Sequence, residues 1–111
     1  MHGLLNNALS WMISGTEEGK GKALPYQVVD TGLYDVWLMN WRGIKVSRFH
    51  TWMSPDTDKR FWDYSFEEFG GFDLRAVIEF IKNEKNSQDK ISLVGYSEGT
   101  TSSFYATAED P

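Results

Sequence analysis

The sequence contains no cysteine and only two histidines, His2 and His50. A disulfide framework and a thiolate metal site are thereby excluded, and a His-rich metal site is not expected. The eleven Lys and Arg are scattered without a run of four, against a net charge of −5. Phosphate recognition needs clustered cations, which argues against nucleic acid as a partner and against a basic membrane-binding patch. No apolar stretch approaches the ~20 residues of a bilayer span. Met1 is followed by His2-Gly3 rather than by a basic n-region, so no signal peptide is expected, and no Asn-x-Ser/Thr acceptor occurs. As written, the chain reads as soluble and, taken as complete, intracellular.

What is present is apolar and aromatic. Hydrophobic residues make up 41% and aromatics 15%, the composition of a chain built around a buried core rather than a disordered one. Its 111 residues allow one domain at most. Five Trp, five Tyr and seven Phe exceed what one small core needs. Either some face a larger body, or some line a surface for an apolar ligand.

No internal repeat or low-complexity tract appears, and 14–22, rich in Gly and charge, is the one loop-like stretch. Residues 34–39 (Tyr-Asp-Val-Trp-Leu-Met) form a nearly continuous apolar, β-favouring run, as in a strand covered on both faces of a parallel sheet. Asn40-Trp41-Arg42-Gly43 ends it, and Ser54-Pro55-Asp56 marks a turn or helix start. Ser65-Phe66-Glu67-Glu68 is a capping box, in which the Ser hydroxyl and the Glu three residues later satisfy free helix N–H groups. Phe66, Phe69, Ala76, Val77, Phe80 and Ile81 then recur at helical spacing, with Leu74 and Ile78 widening the stripe, up to an end at 83–86. Gly70-Gly71 weakens this helix, predicting a kink or a later start. Residues 90–94 form a second short buried-type strand, and 98–108 a helix of mediocre propensity. Strand, helix, strand, tight turn and helix in that order predict an α/β fold with a parallel sheet and right-handed crossovers.

The tight turn carries Gly95-Tyr96-Ser97-Glu98-Gly99. Gly-x-Ser-x-Gly arises by chance in a chain of this length about one time in thirty. Its position directly after a buried-type strand and before a helix is the placement of a nucleophile elbow. Gly95 and Gly99 remove side chains that would collide with the neighbouring strand or helix. The strained turn lifts the Ser97 hydroxyl to a helix N-terminus, where free N–H groups and the helix dipole favour a developing oxyanion. Upstream, His2-Gly3 is a common dipeptide that gains meaning only from preceding such an elbow.

A longer set of motifs accompanies the elbow in a fixed order. His2-Gly3-Leu4-Leu5 and Trp11 come first, then Gly32-Leu33-Tyr34-Asp35-Val36-Trp37-Leu38-Met39-Asn40 and Arg42-Gly43. Ser47-Arg48, Ser54-Pro55, Phe61-Trp62-Asp63-Tyr64-Ser65-Phe66-Glu67-Glu68, Asp73-Leu74 and Thr100-Thr101 complete it. Together these resemble, over essentially the whole chain, the acid lipase family, which includes the gastric and lysosomal acid lipases and has the α/β-hydrolase fold. The resemblance implies hydrolysis of neutral lipid esters, triacylglycerols and sterol esters, through an acyl-enzyme on Ser97. It implies oxyanion donors at the Leu4 and Glu98 backbone N–H groups, no metal or organic cofactor, transient contact with a lipid interface, and a secreted or lysosomal setting. The family's common form has His before the nucleophile and Gln after it, where this chain has Tyr96 and Glu98. A carboxylate at 98 opposes negative charge at an oxyanion unless it points away or is protonated.

The remaining polar and aromatic residues have structural readings. His50 is expected at the surface, and Asn40 and Arg42 to brace the loop after the first strand. Trp37, Trp41, Trp52 and Trp62 are expected to pack, with Trp41 and Trp52 nearest a lipid pocket. Glu67 and Glu68 start a helix rather than form a catalytic pair.

In this fold the triad runs Ser, Asp or Glu, then His along the chain, yet no His follows Ser97. Glu109 and Asp110 stand too near the elbow to supply the acid of a later strand. The expectation is therefore a partial α/β-hydrolase domain over 1–111. It lacks the first strands and the C-terminal part with the catalytic Asp and His, and is inactive alone. The competing readings are a non-catalytic lipid- or partner-binding protein and, third, an acyltransferase or peptidase using the same elbow.

Overall fold

The computed structural model describes residues 1–13 and 22–109, so the loop expected at 14–22 lies outside it except for Lys22. Among the described residues five α-helical segments follow one another: α1 (Ser10–Ile13), α2 (Leu24–Asp30), α3 (Phe66–Glu68), α4 (Arg75–Lys85) and α5 (Glu98–Glu109). Short 3₁₀ turns occupy Lys45–Ser47 and Lys59–Trp62.

The capping box forms as expected. The Glu68 carboxylate accepts from the Ser65 N–H at 2.7 Å, and the Ser65 hydroxyl accepts from the Glu67 N–H at 3.2 Å. From there the backbone stays helical to Lys85, but Phe69–Leu74 is wound as a π-helix. The kink foreseen at Gly70-Gly71 thus takes the form of a widened turn. A Cβ on Gly70 would stand 2.5 Å from the Ser102 carbonyl oxygen, so only glycine lets α5 approach this closely. Asn86 ends α4 in the left-handed conformation (φ 47°), with its N–H and that of Ser87 closing on Asn83 and Lys82.

α5 forms despite its hydroxyl-rich sequence because those hydroxyls bond back into the helix. Ser103 Oγ donates to the Gly99 carbonyl at 2.5 Å and Thr107 Oγ1 to the Ser103 carbonyl at 3.0 Å. Its inner face, Ser102 and Ala106, packs on the π segment. The core is Trp41, Phe69, Leu74 and Ala106, with the Trp41 and Phe69 rings stacked at 5.1 Å.

The two expected strands require a correction. Residues 34–39 and 90–94 form no strand among the described residues. A strand is defined by the neighbour that takes its N–H and C=O groups, and here the two segments flank a cavity instead of pairing. They do run in the same direction. Asp35 is ion-paired to Lys85, just before 90–94, while Trp41 and the end of the second segment both meet the chain start at His2 and Met1. α2 was not foreseen, although Pro25 in its first turn is a helix-start signal. Its amphipathic stretch is too short to show a period.

Candidate active site

Ser97 immediately precedes α5, whose first turn closes on it: the Thr100 and Thr101 N–H groups donate to its carbonyl at 2.9 and 3.2 Å. Its φ is +53°, a left-handed backbone that a β-carbon disfavours by roughly 1–2 kcal/mol. The close contacts expected of the flanking glycines are present. A Cβ on Gly95 would lie 2.7 Å from the Gly99 carbonyl oxygen, and one on Gly99 would lie 2.6 Å from the Met1 carbonyl oxygen. Both collisions are with backbone, which cannot swing aside. Gly99→Ala is therefore expected to push α5 off the chain start, costing about 1–3 kcal/mol and lowering Tm by roughly 5–15 °C. Calorimetry on the variant checks this, and an unchanged Tm would show that the contact is slack.

The chain start reaches the elbow through a specific path. The Met1 amino group donates to the Val94 carbonyl at 2.5 Å, and the Tyr96 N–H donates to the Met1 carbonyl at 3.1 Å. Gly3 then passes so close that a Cβ there would stand 3.2 Å from both Ser97 Cβ and the Tyr96 ring. The His-Gly pair and the elbow, 93 residues apart at the Met1–Val94 bond, are thus in contact. Leu5 follows with φ +58°, so two strained non-glycine residues, Leu5 and Ser97, flank this spot. Among the described residues, the Leu4 and Glu98 backbone N–H groups donate to no carbonyl.

His2 is 1% exposed and fixes this path. Its Nδ1 donates to the Gly3 carbonyl at 2.9 Å, which leaves Nε2 to accept from the Trp41 N–H at 3.4 Å. The Trp41 indole N–H returns a bond to the His2 carbonyl at 3.0 Å. Burial holds the His2 pKa below its usual value; the Gly3 bond raises it in part, and the Met1 ammonium lowers it further. A depressed folded-state pKa means the unfolded chain binds the proton more readily. The contribution of His2 to stability is then complete above about pH 6.5, the unfolded value, and is lost as pH falls through the lower folded value. Tm is expected to fall between pH 7.5 and 5.5, and to fall less in His2→Gln. Equal drops in both proteins would place the acid sensitivity elsewhere.

The two departures at the elbow have distinct surroundings. Tyr96 is exposed with its ring beside Gly3. The Glu98 carboxylate accepts from the Ser102 hydroxyl at 2.9 Å, one turn along α5, and so points away from the helix start. Ser102 itself is fully buried.

Of the bracing residues, Asn40 accepts from the Ala8 N–H at 2.9 Å. The Arg42 guanidinium meets Asp73 Oδ1 at 2.6 and 2.8 Å, while its backbone N–H donates to Oδ2. Trp41 packs as expected, and at 1% exposure it stands in the core rather than near a surface. Trp52 is exposed, packed edge-on to His50 and beneath Arg60. Trp37 and Trp62 are each partly exposed against one aromatic neighbour or more. His50 stands on the surface as expected, its Nδ1 accepting from the Trp52 and Met53 N–H groups. No imidazole among the described residues hydrogen-bonds the Ser97 hydroxyl. Nor, among them, do His, Asp and Glu gather as for a metal ion, and no helix is long and apolar enough to cross a membrane.

Comparison with known proteins connects these features. The model of the alpha/beta hydrolase fold matches residues 1–111. The chain is 41% identical over 110 residues to gastric triacylglycerol lipase of Rattus norvegicus, covering 99% of this chain and 26% of that protein. Lipase member M of Mus musculus is 42% identical, and the probable lipase C16A3.12c of Schizosaccharomyces pombe 34%, each over 99% of this chain and 24% of its own length. The chain therefore spans about a quarter of the length of the relatives it matches. No solved structure matches. Matched from end to end by the family model, and similar throughout to lipases, the chain belongs to the alpha/beta hydrolase fold family and is acid lipase-like within it.

Proposed function

We propose that this chain is the elbow-bearing part of a carboxylic ester hydrolase of the acid lipase type, with Ser97 as its nucleophile. The observation that carries the proposal is the strained Ser97 held at the start of α5 against the Gly3 backbone. Ser97 Oγ attacks the ester carbonyl as a base takes its proton. The tetrahedral oxyanion is met by the Leu4 and Glu98 N–H groups, which have no other acceptor among the described residues. Collapse expels the alcohol and leaves an acyl-Ser97, which water then hydrolyses. Glu98 leaves the oxyanion unopposed because its carboxylate is turned toward Ser102.

The substrates are neutral lipid esters, triacylglycerols and sterol esters, met at a lipid interface in a secreted or lysosomal setting. The exposed Leu4 and Leu5, which follow Gly3 where it passes Ser97, suit an apolar substrate. The base and its acid partner, a His and an Asp, come from outside these 111 residues, because His2 and His50 are engaged elsewhere. Without a base, a well-formed site retains only about 10³–10⁴ over water, so the chain alone is inactive by comparison with a complete enzyme.

The test is to install this chain in rat gastric triacylglycerol lipase in place of the matched region and assay triacylglycerol cleavage. A folded chimera that turns over substrate is the expected result. A folded chimera without turnover would favour the non-catalytic lipid- or partner-binding alternative, which the absence of an imidazole partner for Ser97 recommends.

A further inference from the structure

Three hydroxyls of α5 donate to groups one turn back, and one of them differs from the others. Ser103 and Thr107 give their protons to the Gly99 and Ser103 carbonyls, the usual acceptors of a hydroxyl inside a helix. Ser102 instead donates to the Glu98 carboxylate at 2.9 Å. Its own position is fixed. It is fully buried on the inner face of α5, and its carbonyl oxygen lies where a Cβ on Gly70 would stand only 2.5 Å away. The hydroxyl is therefore an anchored donor, and the half-buried Glu98 side chain is what it holds.

Glu98 needs such an anchor because of where it stands. It is the first residue of α5 and follows Ser97 directly. The Gly99 and Thr100 N–H groups are taken by the Tyr96 and Ser97 carbonyls, which leaves the Glu98 N–H without an acceptor among the described residues. A free N–H at a helix start attracts a carboxylate. The carboxylate joined to that very residue is the first candidate. Turned back, it would cover the N–H or oppose the negative charge that the N–H is there to meet.

We infer that Ser102 is a positioning residue for ester hydrolysis: its buried hydroxyl holds the Glu98 carboxylate one turn along α5 and keeps the Glu98 N–H open to the oxyanion. The inference rests on the assignment of Ser97 as nucleophile and of the Glu98 N–H as oxyanion donor. Ser102 acts only through Glu98, so the two side chains form a coupled pair. A carboxylate beside the nucleophile is compatible with turnover because a hydroxyl at 102 restrains it. The oxyanion forms after substrate binds, so the effect falls on kcat rather than on KM.

The test is a double-mutant cycle in the rat lipase carrying this chain, assayed on a soluble short-chain nitrophenyl ester so that adsorption to an interface does not enter. Ser102→Ala is expected to lower kcat about tenfold with KM unchanged, a part of the roughly 10²–10³ that loss of a whole oxyanion donor costs. Glu98→Gln keeps the backbone N–H and removes the charge. In that background Ser102→Ala should leave kcat where Glu98→Gln put it, a rescue that a merely structural role for Ser102 does not allow. Equal loss in both backgrounds, or no loss in either, would overturn the inference while the assignment of Ser97 stood. A chimera without turnover before either change would fail that assignment first, and this inference with it. If Ser102→Ala does not fold, Glu98→Asp decides, since it leaves the buried hydroxyl in place. Its shorter arm draws the charge back toward the helix start, and kcat should fall about tenfold. An unchanged kcat in Glu98→Asp would overturn the inference as well.

Discussion

Ser97→Ala in the rat lipase carrying this chain is expected to lower kcat by about 10⁶-fold, the loss typical of removing a triad nucleophile. KM should change little, because a single hydroxyl contributes little to holding a long acyl ester. The stability readout separates this from a structural lesion. Alanine keeps the β-carbon that makes φ +53° costly, so Tm should stay nearly constant. Ser97→Gly relieves the strain and should raise Tm by a few degrees while remaining equally inactive. A serine held for packing alone would show the reverse pattern: activity retained in Ser97→Ala, and no stabilisation in Ser97→Gly.

The second large effect is expected at Trp41. Truncating a buried Trp costs about 3–5 kcal/mol, against a total stability of about 5–15 kcal/mol for a domain. Trp41 stacks on Phe69, packs edge-on to His2 and donates to the His2 carbonyl. Trp41→Ala therefore removes core volume and frees the path leading to Gly3 and Leu4. Urea unfolding should show a sharply lowered midpoint or a chain already unfolded. Trp41→Phe preserves most of the volume but leaves the buried His2 carbonyl without its indole partner, a loss of about 1–3 kcal/mol. If the two variants lost equal stability, the hydrogen bond rather than the packing would dominate.

Those two residues mark where the sequence was and was not legible. The elbow could be read because each of its constraints is local. Gly95 and Gly99 are demanded by contacts within one turn and with one crossing segment, and the Ser65–Glu68 box by one helix end. The meeting of His2-Gly3 with Ser97 was legible only through family resemblance, because nothing in the spacing brings residues so far apart together. The packing role of Trp41 was legible, but its depth was not. An aromatic next to a polar loop suits a pocket or a core equally, and only the tertiary packing against Phe69 and Leu74 decides. The Gly70-Gly71 break was visible, but its form as a π-helix depends on how closely the Ser102 carbonyl approaches. Residues 34–39 and 90–94 could be read as apolar runs, but neither is buried among the described residues, with Tyr34 58% and Val94 53% exposed. Their pairing could not be read, since a ladder belongs to two strands and the described residues supply partners only at Met1.

The wide exposure of large apolar side chains, among them Leu5, Phe49, Val46 and Phe104, agrees with the excess of aromatics noted at the outset. These surfaces suit a chain that matches about a quarter of its relatives' length. They also make association a foreseeable behaviour of the chain by itself.

The most direct measurement of the central claim is mass mapping of a fluorophosphonate adduct on the chimeric lipase, alongside its ester turnover. Assignment of the nucleophile to Ser97 predicts one adduct, on Ser97, lost together with turnover in Ser97→Ala. An adduct on a different side chain, or turnover that survives Ser97→Ala, would contradict it.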